Sequence, residues 1–429
     1  MKTNKKFLSI AVACGLASVS TLSQAAGFQL AEYSATGLGR AYAGEAAMAD
    51  NAGAQWRNPA MLTYLKGTQI SAGALYVNPN VDVEGSVDGS SSLNPTLSSS
   101  DASASDYAHD AVVPNFYLSH QINERWFVGL ALSTNYGMET ELSGFEASHF
   151  GDEAMIKTME ANVNAGYKIS DAVSVGGGIR FVKGEGHFGA STPSANAYGL
   201  PQGTTLKYME GDDTSWGWQV GSVWQINETH RVAVAYKSEV VMDFEGHAEG
   251  LSYGNQSIDG TLSVTLPATA EISSYHQVTD RLALHTSINW TDWSSFDKLT
   301  AEFSSRSPDL IKYEGWKDSY RFAVGTTYSI NRDLDLRAGI AYDMSAVSDA
   351  NRTATIPETD RTWLSIGAGY DVSENFTIDT GFTYIFARNA TINEPRGTTD
   401  EEAEHVAGSF TGKVTGNVWI AGIQASYRF

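Results

Sequence analysis

Apolar and polar residues alternate with a period of two over most of this chain, and that period dictates strands. Successive side chains of a strand point to opposite faces, so each such stretch has one greasy side and one polar side. At the C-terminus Trp419, Ala421, Ile423, Ala425, Tyr427 and Phe429 share one face, with Gly422, Gln424, Ser426 and Arg428 on the other. Near 320 the division sets Tyr320, Phe322, Val324, Thr326 and Tyr328 against Arg321, Ala323, Gly325, Thr327 and Ser329. Near 336 it sets Leu334, Leu336, Ala338, Ile340 and Tyr342 against Asp335, Arg337, Gly339, Ala341 and Asp343.

The connections alternate as well. Short turns are expected at Asn123-Glu124, Ser170-Asp171, 227–230, Thr279-Asp280, 331–333 and 373–375. Between them lie long connections at about 82–110, 143–154, 189–212, 246–260, 304–315, 345–360 and 389–413. A soluble sandwich has no reason to keep all long loops at one end, whereas an outer-membrane barrel has tight periplasmic turns and long external loops. Seven long loops and six short turns join fourteen strands with both ends periplasmic, and closure satisfies every backbone group without an edge. The fold class is therefore all-β, a 14-stranded antiparallel transmembrane β-barrel. Trp126, Trp216, Trp290, Trp293, Trp363 and Trp419 are candidates for aromatic girdles or for core packing, and Phe429 ends the chain on an aromatic. The loop Glu84–Asp110, Ser-rich and acidic, reads as mobile and solvated.

The N-terminus points to the same compartment. Lys2, Lys5 and Lys6, the apolar run 7–17 and Ser23-Gln24-Ala25 have the order of a cleaved export signal, residues 1–25. Its removal takes away the only cysteine, Cys14, and three lysines, so the formal charge of -21 becomes -21 - 3 = -24. So acidic a chain argues against nucleic acid. No stretch approaches the roughly 20 apolar residues of a membrane helix. Residues 26–66 differ in character from the alternating strands after them: AGFQLAEYSATGLGRAYAGEAAMADNAGAQWRNPAMLTYLK is rich in small residues and too interrupted for one long helix. A compact segment ahead of a barrel, residues 67–429, suggests an N-terminal hatch, or plug, in the lumen.

Chemistry-bearing motifs are sparse. Gly37-Leu38-Gly39 follows no strand and lacks the spacing of a nucleotide loop, and its glycines suit tight turning in a crowded lumen. The nine histidines have no paired metal-ligand spacing and there is no GxSxG elbow, so neither metal, cofactor nor enzymatic activity is expected. A lumen carrying Arg180, Lys183, Arg321, Arg337 and Asp335 suits a pore, but a plug of this size would obstruct free diffusion.

Residues 26–30 (AGFQL), 37–42 (GLGRAY) and Arg57-Asn58-Pro59-Ala60 resemble the hatch of the long-chain fatty-acid outer-membrane transporters, the FadL family. Further similarity lies at 133–137 (STNYG), 236–240 (YKSEV), 314–318 (EGWKD) and from Asn351-Arg352 to Trp363, and covers essentially the whole exported chain. The resemblance implies passive uptake of long-chain fatty acids across the bacterial outer membrane, with lateral release through a kink in the third strand. It places that kink at Asn135-Tyr136-Gly137, where a glycine suits a bend, or else merely packs against the hatch. It places Asn58-Pro59-Ala60 where the hatch approaches that wall, Phe28 against bound ligand, and Lys312 at the carboxylate, a solvated loop lysine being the alternative. The family's second basic residue belongs to the fifth strand, where Glu185-Gly186-His187-Phe188 offers no arginine; Lys183, Arg180 or His187 is the substitute. Aromatic or other hydrocarbons are the alternative substrates; a general porin and an outer-membrane lipid hydrolase are the readings outside the family. Expected partners are hydrophobic small molecules, outer-membrane lipid and lipopolysaccharide, with phage adsorption at external loops as a secondary role.

Overall fold

A computed structural model describes residues 27–89, 97–396 and 401–429. The export signal expected over 1–25 lies outside the described residues. Among those residues the strand segments follow one another as an antiparallel meander. Where a strand is interrupted its two pieces share a neighbouring strand, giving fourteen: β1 (Thr68–Asp88), β2 (Ser100–Ala104, Ala111–Gln121), β3 (Trp126–Ser133, Gly137–Glu141), β4 (Glu153–Lys168), β5 (Val173–Ser191), β6 (Thr205–Asn227) and β7 (His230–Lys237, Val240–Glu249). Then come β8 (Ile258–Leu266, Thr269–Thr279), β9 (Leu282–Thr291, Lys298–Phe303), β10 (Asp309–Tyr313, Ser319–Ser329), β11 (Leu334–Asp343), β12 (Arg361–Ser373), β13 (Phe376–Ala387, Ala390–Glu394) and β14 (Ser409–Arg428). β1 pairs with β14 from Gln69↔Arg428 to Asp88↔Ser409, which closes the barrel. No helix among the described residues is long and apolar enough to cross a membrane.

The burial pattern is inside out relative to a soluble protein. Tyr320, Phe322 and Val324 are exposed on β10 while Arg321 and Ala323 between them are buried. Lipid takes the apolar face, and the lumen takes the polar one. Trp126 and Trp216 are exposed as girdle positions would be, but Trp293 and Trp363 are fully buried in the lumen. Alternation sets Trp363 apart, since Leu364 and Ile366 take the outer face of β12, but Trp293 lies in a short 3-10 turn between the two pieces of β9, where no alternation applies.

The strands run further than their sequence suggests. Val83–Val87, expected in a mobile loop, pair with Ser100–Ala104, and Tyr107 and Ala108 are buried beneath. β6 likewise begins at Thr205 and β14 at Ser409, inside stretches expected to be loops. These external ends close over an apolar cluster that includes Val83, Val87, Ala102, Tyr107 and Phe410, so one face stays buried while the outer face, no longer against lipid, turns polar.

Residues 27–65 fill the lumen, nearly all of them buried. The short helix α1 (Ala35–Leu38) starts at Ser34, whose hydroxyl accepts from Gly37 N–H at 3.0 Å. Arg40 then bridges Glu45 at 2.7 Å and Asp50 at 2.6 Å, folding the segment on itself. Burial alone would raise the Asp50 carboxyl, but Arg40 and Arg337 outweigh it and hold the group down at about 2. Lumen-facing glycines let this segment touch the wall: a Cβ on Gly339 would lie 2.2 Å from the Arg40 carbonyl, and one on Gly381 2.6 Å from that of Ala35. Arg321 donates to the Ala41 carbonyl at 2.8 Å and stacks on Trp363, while Arg337 pairs with Asp379 at 2.6 Å. The charged lumen is thus occupied by protein rather than left as an open pore.

Candidate functional site

One cavity of the barrel presents mostly apolar surface, from Met138, Phe188, Met209, Phe244 and Phe296 among others, with Lys312 and Glu314 also on its wall. Phe28 reaches it from the hatch. Its ring lies edge-on to Trp293 at 4.7 Å and to Phe296 at 5.4 Å, with Trp316 and Tyr136 around it.

Lys312 reaches the same cavity through a local irregularity. In the ladder between the short segments of β9 and β10, Leu299 faces Lys312 but the next residue, Thr300, faces Leu310. Ile311 is the extra residue, so Ile311 and Lys312 both point inward while Leu310 and Tyr313 are exposed. The Lys312 ammonium lies 3.3 Å from Thr355 Oγ1 and 4.6 Å from the centre of the Phe188 ring. Its side chain is buried, not solvated as the alternative reading had it.

The candidates on the fifth strand separate by parity. Inward positions of β5 are even-numbered: Arg180 and Val182 are buried, whereas Phe181, Lys183 and Glu185 are exposed on the outer surface. Lys183 therefore cannot meet a ligand in the lumen. Arg180 points inward but is taken up by the Glu160 carboxylate, with two contacts at 2.8 Å, and by the Ser238 carbonyl, and it is not a lining residue of the cavity. His187 borders the cavity, but its odd-numbered position gives its side chain the outward parity of Lys183, with Nε2 3.7 Å from Glu153 Oε2, so among the described residues none of the three suggested substitutes presents a free cation to the lumen.

The wall itself breaks at the third strand. β2 and β3 stay paired up to Phe116↔Leu132. Beyond that point Ala111–Asn115 keep their partners on β1, but among the described residues the two strands share only the isolated bridge Ala108↔Thr140. On its other side β3 pairs with β4 at Ser133↔Glu160 and again at Gly137↔Lys157, so Thr134, Asn135 and Tyr136 face only Thr158 and Met159. The extra residue bends β3 inward, and the hatch takes the place of β2 there: Leu30 N–H donates to the Asn135 carbonyl at 2.6 Å and Gly137 N–H to that of Phe28 at 2.7 Å.

Asn58-Pro59-Ala60 sits elsewhere. Asn58 caps the 3-10 helix Pro59–Tyr64, accepting from Ala60 N–H at 3.0 Å, and donates to the Ala46 carbonyl at 2.7 Å and the Ser222 carbonyl at 3.2 Å. It lies on β5 and β6, where a Cβ on Gly221 would come within 2.0 Å of Asn58 Oδ1 and one on Gly176 within 2.4 Å of Ala60 N. The hatch therefore meets the third-strand kink through Phe28–Leu30, not through Asn58–Ala60. Small residues at those wall positions fit a docking floor, a signal present in the sequence only once the inward parity is known. Among the described residues no group of three or more His, Cys, Asp or Glu is placed to hold a metal ion.

Known proteins share this architecture along the whole chain. A family model described as outer membrane protein transport protein (OMPP1/FadL/TodX) matches residues 16–429. The long-chain fatty acid transport protein of Escherichia coli O6:H1 is 33% identical over 463 residues, with all of both chains covered. The 47 kDa outer membrane protein of Pasteurella multocida is 37% identical over 454 residues, again covering both chains completely. Among solved structures, a Pseudomonas aeruginosa FadL homologue superposes with a TM-score of 0.81 at 22% identity, covering 94% of this chain and 100% of its own. The Ralstonia pickettii toluene transporter TbuX superposes with a TM-score of 0.65 at 17% identity, covering 92% and 98%. With its closed barrel, occupied lumen and full-length similarity, the chain belongs to the outer-membrane transport family OMPP1/FadL/TodX.

Proposed function

We propose that this protein carries long-chain fatty acids passively across the bacterial outer membrane. The tail occupies the apolar cavity beside Phe28, Lys312 orients the carboxylate, and the ligand leaves sideways into the membrane between β2 and β3. The observation that supports this reading is the buried Lys312 ammonium on the wall of a cavity whose exposed surface is mostly apolar. The fatty-acid transport named for the Escherichia coli relative supports the same substrate class.

Magnitudes divide the work between tail and head. Each buried methylene is worth about 0.8 kcal/mol, so about fourteen of them contribute on the order of 10 kcal/mol before the costs of association. A lysine–carboxylate contact adds roughly 0.5–2 kcal/mol. The tail drives affinity and the cation selects orientation. A sideways exit also suits so apolar a cargo, which gains little from an aqueous channel but must be carried past the polar lipopolysaccharide layer. No energy source is needed for that.

The second reading is uptake of aromatic hydrocarbons, favoured by the ring cluster of Phe28, Trp293, Phe296 and Trp316, since such substrates need no cation. Binding and uptake of labelled oleate and of toluene, in vesicles carrying the wild type or Lys312→Ala, separate the two. Oleate affinity that drops in the variant supports the fatty-acid reading. Efficient toluene transport with indifference to oleate and to Lys312 moves the assignment to hydrocarbons.

A further inference from the structure

A zipped β2–β3 seam would satisfy backbone groups at the barrel wall, so a kink that forgoes this pairing must be held by other interactions. All three kink residues are anchored by their own side chains. Thr134 Oγ1 lies 2.8 Å from Thr158 Oγ1, and Tyr136 donates its hydroxyl to the Pro267 carbonyl at 2.7 Å. Asn135, between them, enters a buried charge cluster. Its Nδ2 donates to Glu160 Oε2 at 2.6 Å and its Oδ1 accepts from Lys237 Nζ at 3.2 Å.

Glu160 is gripped in turn by Arg180, whose Nε and Nη2 each lie 2.8 Å from a carboxylate oxygen and whose Nη1 donates to the Ser238 carbonyl at 2.8 Å. Lys237 stands 4.3 Å over the Trp56 ring of the hatch. The cluster therefore ties β3, β4, β5, β7 and the hatch at one point. All four of its side chains are buried. It holds one carboxylate against two cations, so loss of Glu160 would leave two buried cations without their counter-charge, a strongly destabilising arrangement.

We propose that Glu160, Arg180 and Lys237 are positioning residues that fix the kink of β3 through Asn135 and so keep the gap between β2 and β3 open. Their effect on transport rests on the lateral exit proposed for the cargo, but their effect on the gap does not. Spin labels at Val112 on β2 and Gly137 on β3, which lie on either side of the interrupted stretch, report the gap directly. Two variants are compared with the wild type: Glu160→Gln, which removes the anion, and Asn135→Ala, which cuts the link while leaving the Glu160–Arg180 pair in place. In both, the label distance is expected to shorten toward that of paired strands, and oleate transfer to fall by at least about tenfold, ~1.4 kcal/mol in barrier. Equilibrium oleate binding and heat-modifiable migration of the barrel, which a general packing defect would also damage, are expected to stay at wild-type levels in Asn135→Ala.

An unchanged label distance in both variants overturns the proposal, whatever happens to transfer. Joint loss of distance, binding and heat-modifiability in Asn135→Ala overturns it too, because the cluster would then be ordinary packing. A shortened distance with undiminished transfer upholds the positioning role and counts instead against the lateral exit.

Discussion

Lys312 and Lys183 show how much a single residue of register decides. Both are basic residues on strands that border the same lumen, yet one is buried in the cavity and the other lies on the outer surface. For Lys183 the sequence was sufficient: Phe181 must face lipid, and two residues later the chain faces outward again. For Lys312 it was not, because the bulge at Ile311 leaves no mark in an apolar-polar pattern over so short a segment. Lys312→Met is expected to weaken oleate binding by about 2- to 30-fold for a contact of roughly 0.5–2 kcal/mol, whereas deleting Ile311 removes only the extra residue of the bulge and leaves Lys312 inward between the outward Leu310 and Tyr313. Titration with fluorescent fatty acid checks this, with toluene binding as the control that Lys312→Met should spare. The charge cluster at Asn135 was equally hidden. Arg180 carried a basic signal, but that its partner is Glu160 depends on β4 and β5 pairing at Asn162↔Arg180, a register that only the assembled sheet displays.

At the scale of elements, the hatch is held by close contact and by buried acids. Gly339 admits the Arg40 carbonyl where any side chain would collide, so Gly339→Val is expected to displace the hatch and lower the thermal midpoint of the barrel. Gly177 is the contrasting position, since a Cβ there would meet only ordinary contacts at 3.5 and 3.7 Å, so Gly177→Ala is expected to leave the midpoint near that of the wild type. The first described residue of the hatch, Gly27, donates its N–H to Glu358 Oε1 at 3.1 Å in the loop after β11. Burial raises the Glu358 carboxyl from 4.5 to about 7, against the opposing charge of Arg361, and burial raises Glu32 in the hatch likewise to about 7. A folded-state value above the unfolded one means that folding takes up protons between about 4.5 and 7. The contribution of these two groups to stability is therefore fully present at and below about pH 4.5, falls as pH rises through this window, and is lost above about 7. Each group contributes at most ~3 kcal/mol, and denaturant unfolding in detergent should lose part of its slope against pH in Glu358→Gln. A slope unchanged in Glu358→Gln and Glu32→Gln would contradict it. The extent of the elements was less legible than their existence. Turns fell where Asn, Asp and Ser clusters placed them, but external strand ends ran on into segments whose outward face is polar rather than apolar. A disulfide tethering the hatch near Phe28 to the wall is expected to slow uptake if small hatch movements empty the site, and uptake at the wild-type rate would refute that movement.

The molecule as a whole is a closed wall with one interrupted seam. Closure at β1 and β14 satisfies the backbone in lipid, and the hatch removes the straight route through the lumen. What remains is the stretch where Ala111–Asn115 have lost β3 and the hatch segment Phe28–Leu30 has replaced β2. This overall plan was readable from strand count, loop alternation and the small-residue hatch, because each reflects the requirement that no backbone group meets hydrocarbon unpaired. The gap itself was legible only through resemblance, since a bulge of one residue is too small a departure from period two to be seen in the pattern. The central claim is that cargo leaves through that seam. Because Cys14 is the chain's sole cysteine and lies in the expected signal, a cysteine introduced at Val112 is a unique thiol in the exported protein and can carry a bulky maleimide at the gap's edge. Oleate uptake into vesicles is then expected to fall by at least about tenfold, ~1.4 kcal/mol, while the same adduct on Ile366, exposed on a continuous part of the wall, leaves it unchanged. Uptake that proceeds at the wild-type rate with the gap so occluded would contradict lateral exit and require a path through the hatch.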